Sequence, residues 1–150
     1  MSGTVVSVNI SEKKGTRKHP VPSLILEKDY GILGDAHAGK WHRQVSLLPN
    51  ESVDSMRAII PSLKPGDFAE NILTEGISLK DLPVGTILQI GTAVLEITQI
   101  GKQCHNDCEI KQLTGRCVMP TDGVFAKVLE SGEIKPGDEI IIKGNDNEAD

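Results

Sequence analysis

The sequence predicts a mainly β protein, a barrel or sandwich carrying one or two short helices. Short runs of β-branched and apolar residues recur between Pro, Gly and Asp turns. Several of these runs are launched by similar turns, which suits a barrel or sandwich better than alternating βα units. One segment alone carries its apolar residues at helical spacing.

Thr4 to Ile10 alternates, and an unbroken strand would place Val6, Val8 and Ile10 on one face. Ser23 to Leu26 follows two prolines, and Gln44 to Leu48 ends at Pro49. From Asn50 the period changes. Asn50 is a helix-capping residue type with Glu51 in the first turn, and Val53, Met56, Ile59, Ile60 and Leu63 follow at helical spacing until Pro65. Ala93 to Gln99 is the clearest strand, because Leu95 and Ile97 alternate with Glu96 and Thr98. Asp107 to Leu113 reads as a short second helix, and Gly123 to Leu129 as a barrel strand with core residues.

An internal echo supports the turn-then-strand scheme. Pro83 to Ile90 resembles Pro136 to Ile142, each a Pro/Gly turn that launches an apolar strand. Lys64-Pro65-Gly66-Asp67 repeats Lys135-Pro136-Gly137-Asp138, but Phe68-Ala69-Glu70-Asn71 follows it.

The 150 residues fit one domain, 1–144, followed by an acidic tail, 145–150, that is expected to be disordered. No apolar run is long enough to span a bilayer, and Met-Ser-Gly-Thr-Val-Val lacks the basic-then-apolar order of a signal peptide. A cytoplasmic protein is expected. Three cysteines in a reducing compartment suit thiol chemistry or metal ligation better than a disulfide framework. The net charge of −5 argues against a general nucleic-acid binder. Phe68, Phe125, Tyr30 and Trp41 are too few aromatics for a base-stacking platform. A local basic pocket remains open, since Lys13, Lys14, Arg17, Lys18 and His19 crowd one segment.

Gly34-Asp35-Ala36-His37-Ala38-Gly39-Lys40 imitates the opening of a phosphate-binding P-loop. Trp41 replaces the magnesium-ligating Ser or Thr, and a strand follows where a helix would be needed, so nucleotide hydrolysis is rejected. The same stretch gathers Asp35, His37, His42 and Arg43 among glycines that let backbone approach a ligand. A hydrogen-bonded polar turn and an anion site are equally compatible with it. A metal held by Asp35 and His37 is a third, weaker reading. Glu70-Asn71 is a polar pair at a strand start.

Lys102 to Cys108 follows a strand that ends near Ile100, at the Gly101 turn, and Cys117 comes nine residues after Cys108. A thiolate is a nucleophile and a soft-metal ligand, and Lys102 and His105 can lower the pKa of Cys104. Cys104, His105, Cys108 and Cys117 also make up a ligand set sufficient for tetrahedral zinc, although Cys-x3-Cys lacks the second short spacing of standard zinc signatures.

Taken in order, these pieces resemble the MOSC family, the domain found at the C-terminus of molybdenum-cofactor sulfurases. The resemblance rests on Gly31 to Gly39, His42 to Leu48, Gly66 to Ile72 and Leu82 to Gly85. It continues through Cys104 after the Ile97-Thr98-Gln99 strand, Gly123 to Leu129, and Gly132 through Lys135-Pro136-Gly137-Asp138. It spans about Val5 to Ile142 and suggests a stand-alone MOSC protein of bacterial type.

The resemblance implies a β-barrel with few helices and a cysteine that carries sulfur or ligates molybdenum, which maps onto Cys104. Cys108 and Cys117 lie outside the family's general pattern, as does the Cys-His pairing. The implied cofactor is the molybdenum cofactor (molybdopterin), with tungsten as the other metal. Asp35, His37, Lys40, His42, Arg43, Glu70 and Asn71 are its expected binding residues, and pyridoxal phosphate enters only by association with the family. The implied partners are a cysteine desulfurase as sulfur donor and a molybdoenzyme as acceptor, with neither nucleic acid nor membrane. Two alternatives stand beside this reading. One is a molybdenum-dependent reductase of N-hydroxylated compounds fed by a partner electron donor. The other is a zinc-stabilised Cys/His binding module without catalysis.

Overall fold

A computed structural model describes residues 2–13, 17–101 and 122–145. The expected helix at Asp107 to Leu113, the cysteine segment and residues 146–150 lie outside them.

Seven strands form a closed barrel. They are β1 (Ser2–Ile10), β5 (Val45–Pro49), β6 (Ile72–Glu75), β7 (Thr86–Ile90), β8 (Ala93–Ile100), β9 (Val124–Glu130) and β11 (Glu139–Asn145). Their order around the wall is β1-β11-β7-β8-β9-β5-β6, and β6 returns to β1. Closure leaves these strands no free hydrogen-bonding edge, which is how such sheets avoid edge-to-edge association. A two-residue strand, β2 (His19–Pro20), pairs with the end of β1. The strands β3 (Leu24–Glu27), β4 (Gly31–Ile32) and β10 (Gly132–Ile134) make a small separate sheet.

The mainly β expectation holds, with one local exception to the antiparallel scheme. β5 and β6 run parallel, and the helix α1 (Asn50–Arg57) lies on the crossover between them. A parallel pair needs such a crossover and is normally covered on both faces. Accordingly all five residues of β5 are buried. Val45 and Leu47 join the barrel interior with Leu88, Leu95, Ile97 and Ile140. Leu48, Leu73 and Phe125 pack outward against Val53 and Met56 of α1.

The helix is shorter than its apolar spacing suggests. Pro49 occupies the N-cap, so Asn50 is the first helical residue, and its Oδ1 accepts a hydrogen bond from Arg57 Nη1 at 3.1 Å. The helix ends at Arg57 because Pro61 has no N–H to return to that carbonyl and its ring would clash there. Ile59 consequently turns outward at 50% exposure, while Leu63 reaches the helix-side core from a loop.

Strand β1 departs from its sequence reading in a second way. A bulge between Val5 and Ser7 breaks the alternation. Val5 and Val8 enter the barrel core, Ile10 packs against it, and Val6 packs on the helix side. Val6 and Val8 therefore do not share a face.

The internal echo is physical. In both Lys-Pro-Gly-Asp turns the aspartate Oδ2 accepts the lysine N–H at 2.8 Å, and the aspartate N–H donates to the lysine carbonyl at 3.1 Å. Gly66 and Gly137 take φ of 92° and 94°, the left-handed conformation required after Pro in a type II turn. The other echoing turn launches β7, which lies directly beside β11 in the wall. Strand β11 continues through Asn145, one residue into the stretch expected as tail.

Among the described residues no helix is long and apolar enough to cross a membrane.

Candidate functional site

The loop from Gly31 to Gln44 joins the small sheet to the barrel, and a set of internal hydrogen bonds fixes its path. Gly39 N–H donates to the Tyr30 carbonyl at 2.6 Å. The buried Gln44 donates to the Gly39 carbonyl at 3.0 Å and accepts the Val128 N–H of β9 at 2.9 Å, which clamps the loop to the barrel wall.

Asp35 lies inside this loop with no side-chain exposure. Its Oδ1 accepts the Ser11 N–H at 3.1 Å and the Lys18 ammonium at 2.7 Å, and its Oδ2 accepts the His37 N–H at 3.2 Å. The Lys18 side chain is equally buried. Its Nζ also lies 3.2 Å from Ser11 Oγ and 3.0 Å from His37 Nδ1. A buried charge of either sign needs a partner, and here each supplies the other's. Lys18 thus stands where a metal held by Asp35 and His37 would have to sit. Among the described residues no group of three or more His, Cys, Asp or Glu is placed to hold a metal ion.

The lysine is delivered by the first of the two echoing turns. Its N–H donates to the Gly66 carbonyl at 2.8 Å, and Gly66 packs so closely that any Cβ would run into the Lys18 carbonyl oxygen. Glu70 sustains that turn. Its carboxylate accepts the Gly66 N–H at 2.8 Å and the Phe68 N–H at 3.2 Å. Burial raises the Glu70 pKa to about 7 against the opposing effect of these backbone donors. Asn71 performs a related task one residue on. Its Oδ1 accepts from the Ser46 N–H at 3.0 Å and hydroxyl at 3.1 Å, while its Nδ2 donates to the Asn9 carbonyl at 3.1 Å. Glu70 and Asn71 are both fully buried, and they tie β1, β5 and β6 together at the start of the parallel pair.

The surface of the site is carried by residues 37 to 43. The His37 imidazole is 29% exposed. Its carbonyl accepts the Trp41 indole N–H at 2.7 Å, so the two residues are tied across one turn. The Arg43 guanidinium carbon lies 4.6 Å from the centre of the Trp41 ring and 5.6 Å from that of Phe125, within cation–π range of both. Arg43 Nε is buried and has no hydrogen-bond partner among the described residues. His42 is exposed, and its Nε2 lies 2.8 Å from Gln99 Oε1. Gln99 Nε2 donates to the Gly101 carbonyl at 2.7 Å, which leaves its oxygen to accept from His42. Lys40 is exposed on the same loop.

Cys104, His105, Cys108 and Cys117 lie outside the described residues. The flanks of their segment are described, and Gly101 N–H donates to the Gly123 carbonyl at 2.6 Å where β8 and β9 meet. His42, Gln99, Arg43 and Phe125 lie at that same strand junction.

Apart from Lys40, exposed on the loop, the expected binding residues therefore fall into three groups. Asp35 and His37 form one around Lys18. His42 and Arg43 form a second with Trp41, Gln99 and Phe125, and Glu70 and Asn71 form a third inside the wall. Lys18 was visible in sequence only as one of five basic residues. Nothing in the sequence singled out Gln99 or Gln44, because their roles depend on partners far along the chain.

As a donor set, Arg43, His42, His37 and Lys40 suit an anionic, oxygen-rich group such as a phosphate-bearing pterin, and the unpartnered Arg43 Nε is consistent with one.

The sequence profile of the MOSC domain matches residues 34–141. No curated protein sequence matches the chain. Among solved structures, the chain is similar to the YuaD protein from Bacillus subtilis, with 18% identity over 93% of this chain and 94% of that one and a TM-score of 0.77. It is similar to YiiM from Geobacillus stearothermophilus at 20% identity, covering 93% of this chain and 74% of that one, with a TM-score of 0.69. YiiM from Escherichia coli gives 18% identity over 97% and 71% of the two chains and the same TM-score, 0.69. At these identities the structural likeness is one of fold.

Proposed function

The chain belongs to the MOSC domain family, and on that premise we propose that it binds the molybdenum cofactor at the face formed by residues 37 to 43. The observation that carries this reading is Arg43. Its guanidinium is stacked between Trp41 and Phe125 with a buried Nε that no described residue satisfies. A buried donor without an acceptor is costly, and an anionic ligand oxygen removes that cost. Arg43, His42, His37 and Lys40 would hold the anionic periphery. Asp35 and Glu70 act from behind, through Lys18 and the Gly66 turn. The bound group would supply the metal chemistry.

Cys104 is the proposed metal ligand or sulfur carrier, because a soft thiolate suits either task. As a carrier, its thiolate would attack the outer sulfur of a persulfide on a cysteine desulfurase. The S–S bond of the donor breaks, the donor leaves as thiolate, and Cys104 keeps the transferred sulfur as a persulfide. No external oxidant is required, because the sulfur arrives already at the persulfide level.

Protein expressed under molybdate tests the reading by elemental analysis and intact mass. The expected result is bound molybdenum, or a mass increase of one sulfur after exposure to a desulfurase and cysteine, either of which Cys104→Ser abolishes. Metal content and mass unchanged by that substitution would overturn the assignment of Cys104. Zinc without molybdenum would overturn the cofactor reading.

A further inference from the structure

We infer that Lys18 is a positioning residue that holds His37 as the Nε2–H tautomer, so that the partly exposed ring serves as a neutral hydrogen-bond donor to an oxyanion. The oxyanion part of this inference rests on the binding face proposed above, whereas the tautomer follows from the contacts of Lys18 with Asp35 and His37.

The argument is one of donors and acceptors. A lysine ammonium has three protons to donate and no lone pair to accept with. Lys18 Nζ faces Asp35 Oδ1 at 2.7 Å, Ser11 Oγ at 3.2 Å and His37 Nδ1 at 3.0 Å. Asp35 fixes the charge state of the lysine, because a carboxylate with no solvent exposure needs a cation and Lys18 is in contact with it. With the ammonium charged, His37 Nδ1 must be the acceptor. Its proton is then on Nε2, the other nitrogen of the ring. Protonating Nδ1 as well would place two positive charges 3.0 Å apart in a partly buried setting.

The backbone of His37 is held at both ends, which keeps the ring in place. Asp35 Oδ2 accepts its N–H at 3.2 Å and the Trp41 indole donates to its carbonyl at 2.7 Å. Trp41 in turn stacks on Arg43. One indole ring thus touches both the His37 backbone and the Arg43 guanidinium.

The side-chain 15N shifts of His37 in the full chain, read by long-range proton–nitrogen correlation, test this directly. The expected wild-type spectrum shows Nδ1 unprotonated and Nε2 protonated as a single tautomer. In Lys18→Met the ring should lose that single form, because Nδ1–H can then turn to Asp35 Oδ2, 3.8 Å away. Should Lys18→Met fail to fold, Lys18→Gln keeps a polar side chain of similar length whose amide oxygen can accept from Nδ1–H, and gives the same readout. An Nδ1–H tautomer in the wild type, or an unchanged Nε2–H tautomer in the variants, overturns the role of Lys18. Inorganic phosphate is the second probe, and it should shift the His37 Nε2 resonance in the wild type with at least a tenfold loss of apparent affinity in the variants. The expected tautomer without any phosphate response would overturn the anion-binding face and leave the role of Lys18 standing.

Discussion

Lys18 Nζ lies 2.7 Å from Asp35 Oδ1, and neither side chain is exposed to solvent. Breaking a buried pair from one side strands a charge, which costs about 3–5 kcal/mol, whereas removing both charges is far less damaging. Lys18→Met is therefore expected to lower the unfolding free energy by about that amount. Lys18→Met/Asp35→Asn should recover at least half of the loss. Urea unfolding of the two variants beside the wild type checks this, and a double variant no more stable than the single one would contradict the pairing.

Arg43 offers a prediction that separates binding from folding. Stacking on Trp41 and Phe125 is worth about 0.5–1 kcal/mol at a partly exposed site, so Arg43→Ala should change stability by no more than about 1 kcal/mol. A hydrogen bond from a charged group to a ligand is worth about 1.5–3 kcal/mol. Phosphate affinity, measured by calorimetry, should accordingly fall roughly 10- to 100-fold. Arg43→Lys should not restore it, because an ammonium lacks the planar fork that stacks and donates together.

These two sites show how far the sequence could be read. Alternation is a local signal, so β8 was legible almost to the residue, and β9 was legible as a run of core residues between turns. The helix was legible as a helix, but its apolar spacing masked the effect of Pro61 four residues beyond Arg57. The bulge at Val5–Ser7 follows from pairing with β6, which no pattern within β1 records. In the candidate site, Asp35, His37, His42 and Arg43 stood out as chemically capable residues in a glycine-rich loop. That Asp35 is matched by Lys18, and that Glu70 sits behind the turn that delivers it, depends on contacts set by closure of the barrel. The separate sheet of β3, β4 and β10 was only partly foreseen, because two of its strands are no longer than three residues.

The repeated turn permits a matched experiment. Gly66 and Gly137 have nearly the same φ, 92° and 94°, within the same Lys-Pro-Gly-Asp sequence. Alanine in that conformation costs about 1–2 kcal/mol at either position. At Gly137 nothing lies near the added Cβ, so Gly137→Ala should cost only this amount. At Gly66 the Cβ would meet the Lys18 backbone, so Gly66→Ala must also displace Lys18 from its place beside Asp35 and His37. Gly66→Ala is expected to cost at least about 2 kcal/mol more than Gly137→Ala in thermal or urea unfolding. It should also perturb the His37 ring resonances, which Gly137→Ala should leave alone. Equal costs would mean that the Gly66 turn does not position Lys18.

Glu70 makes stability depend on pH in a direction opposite to that of a salt-bridged carboxylate. Burial raises its pKa from 4.5 to about 7, with the nearby charge of Asp67 adding to the effect and the Gly66 and Phe68 N–H groups opposing it. Between these values the folded protein holds a proton that the unfolded chain has released, so raising the pH favours unfolding. The stabilisation from the neutral acid is fully present below about pH 4.5 and is lost as pH rises through 7, by about 3 kcal/mol in all. Glu70→Gln cannot titrate. Its amide can accept only one of the two backbone N–H bonds, so it should be less stable than the wild type at pH 5 and should close that gap by pH 8. Urea midpoints of both proteins across pH 5 to 8 check this, with the difference between the two curves isolating Glu70 from other titrating groups. A wild-type curve that runs parallel to that of Glu70→Gln would show that the carboxylate is already ionised at pH 5, held so by the two backbone donors.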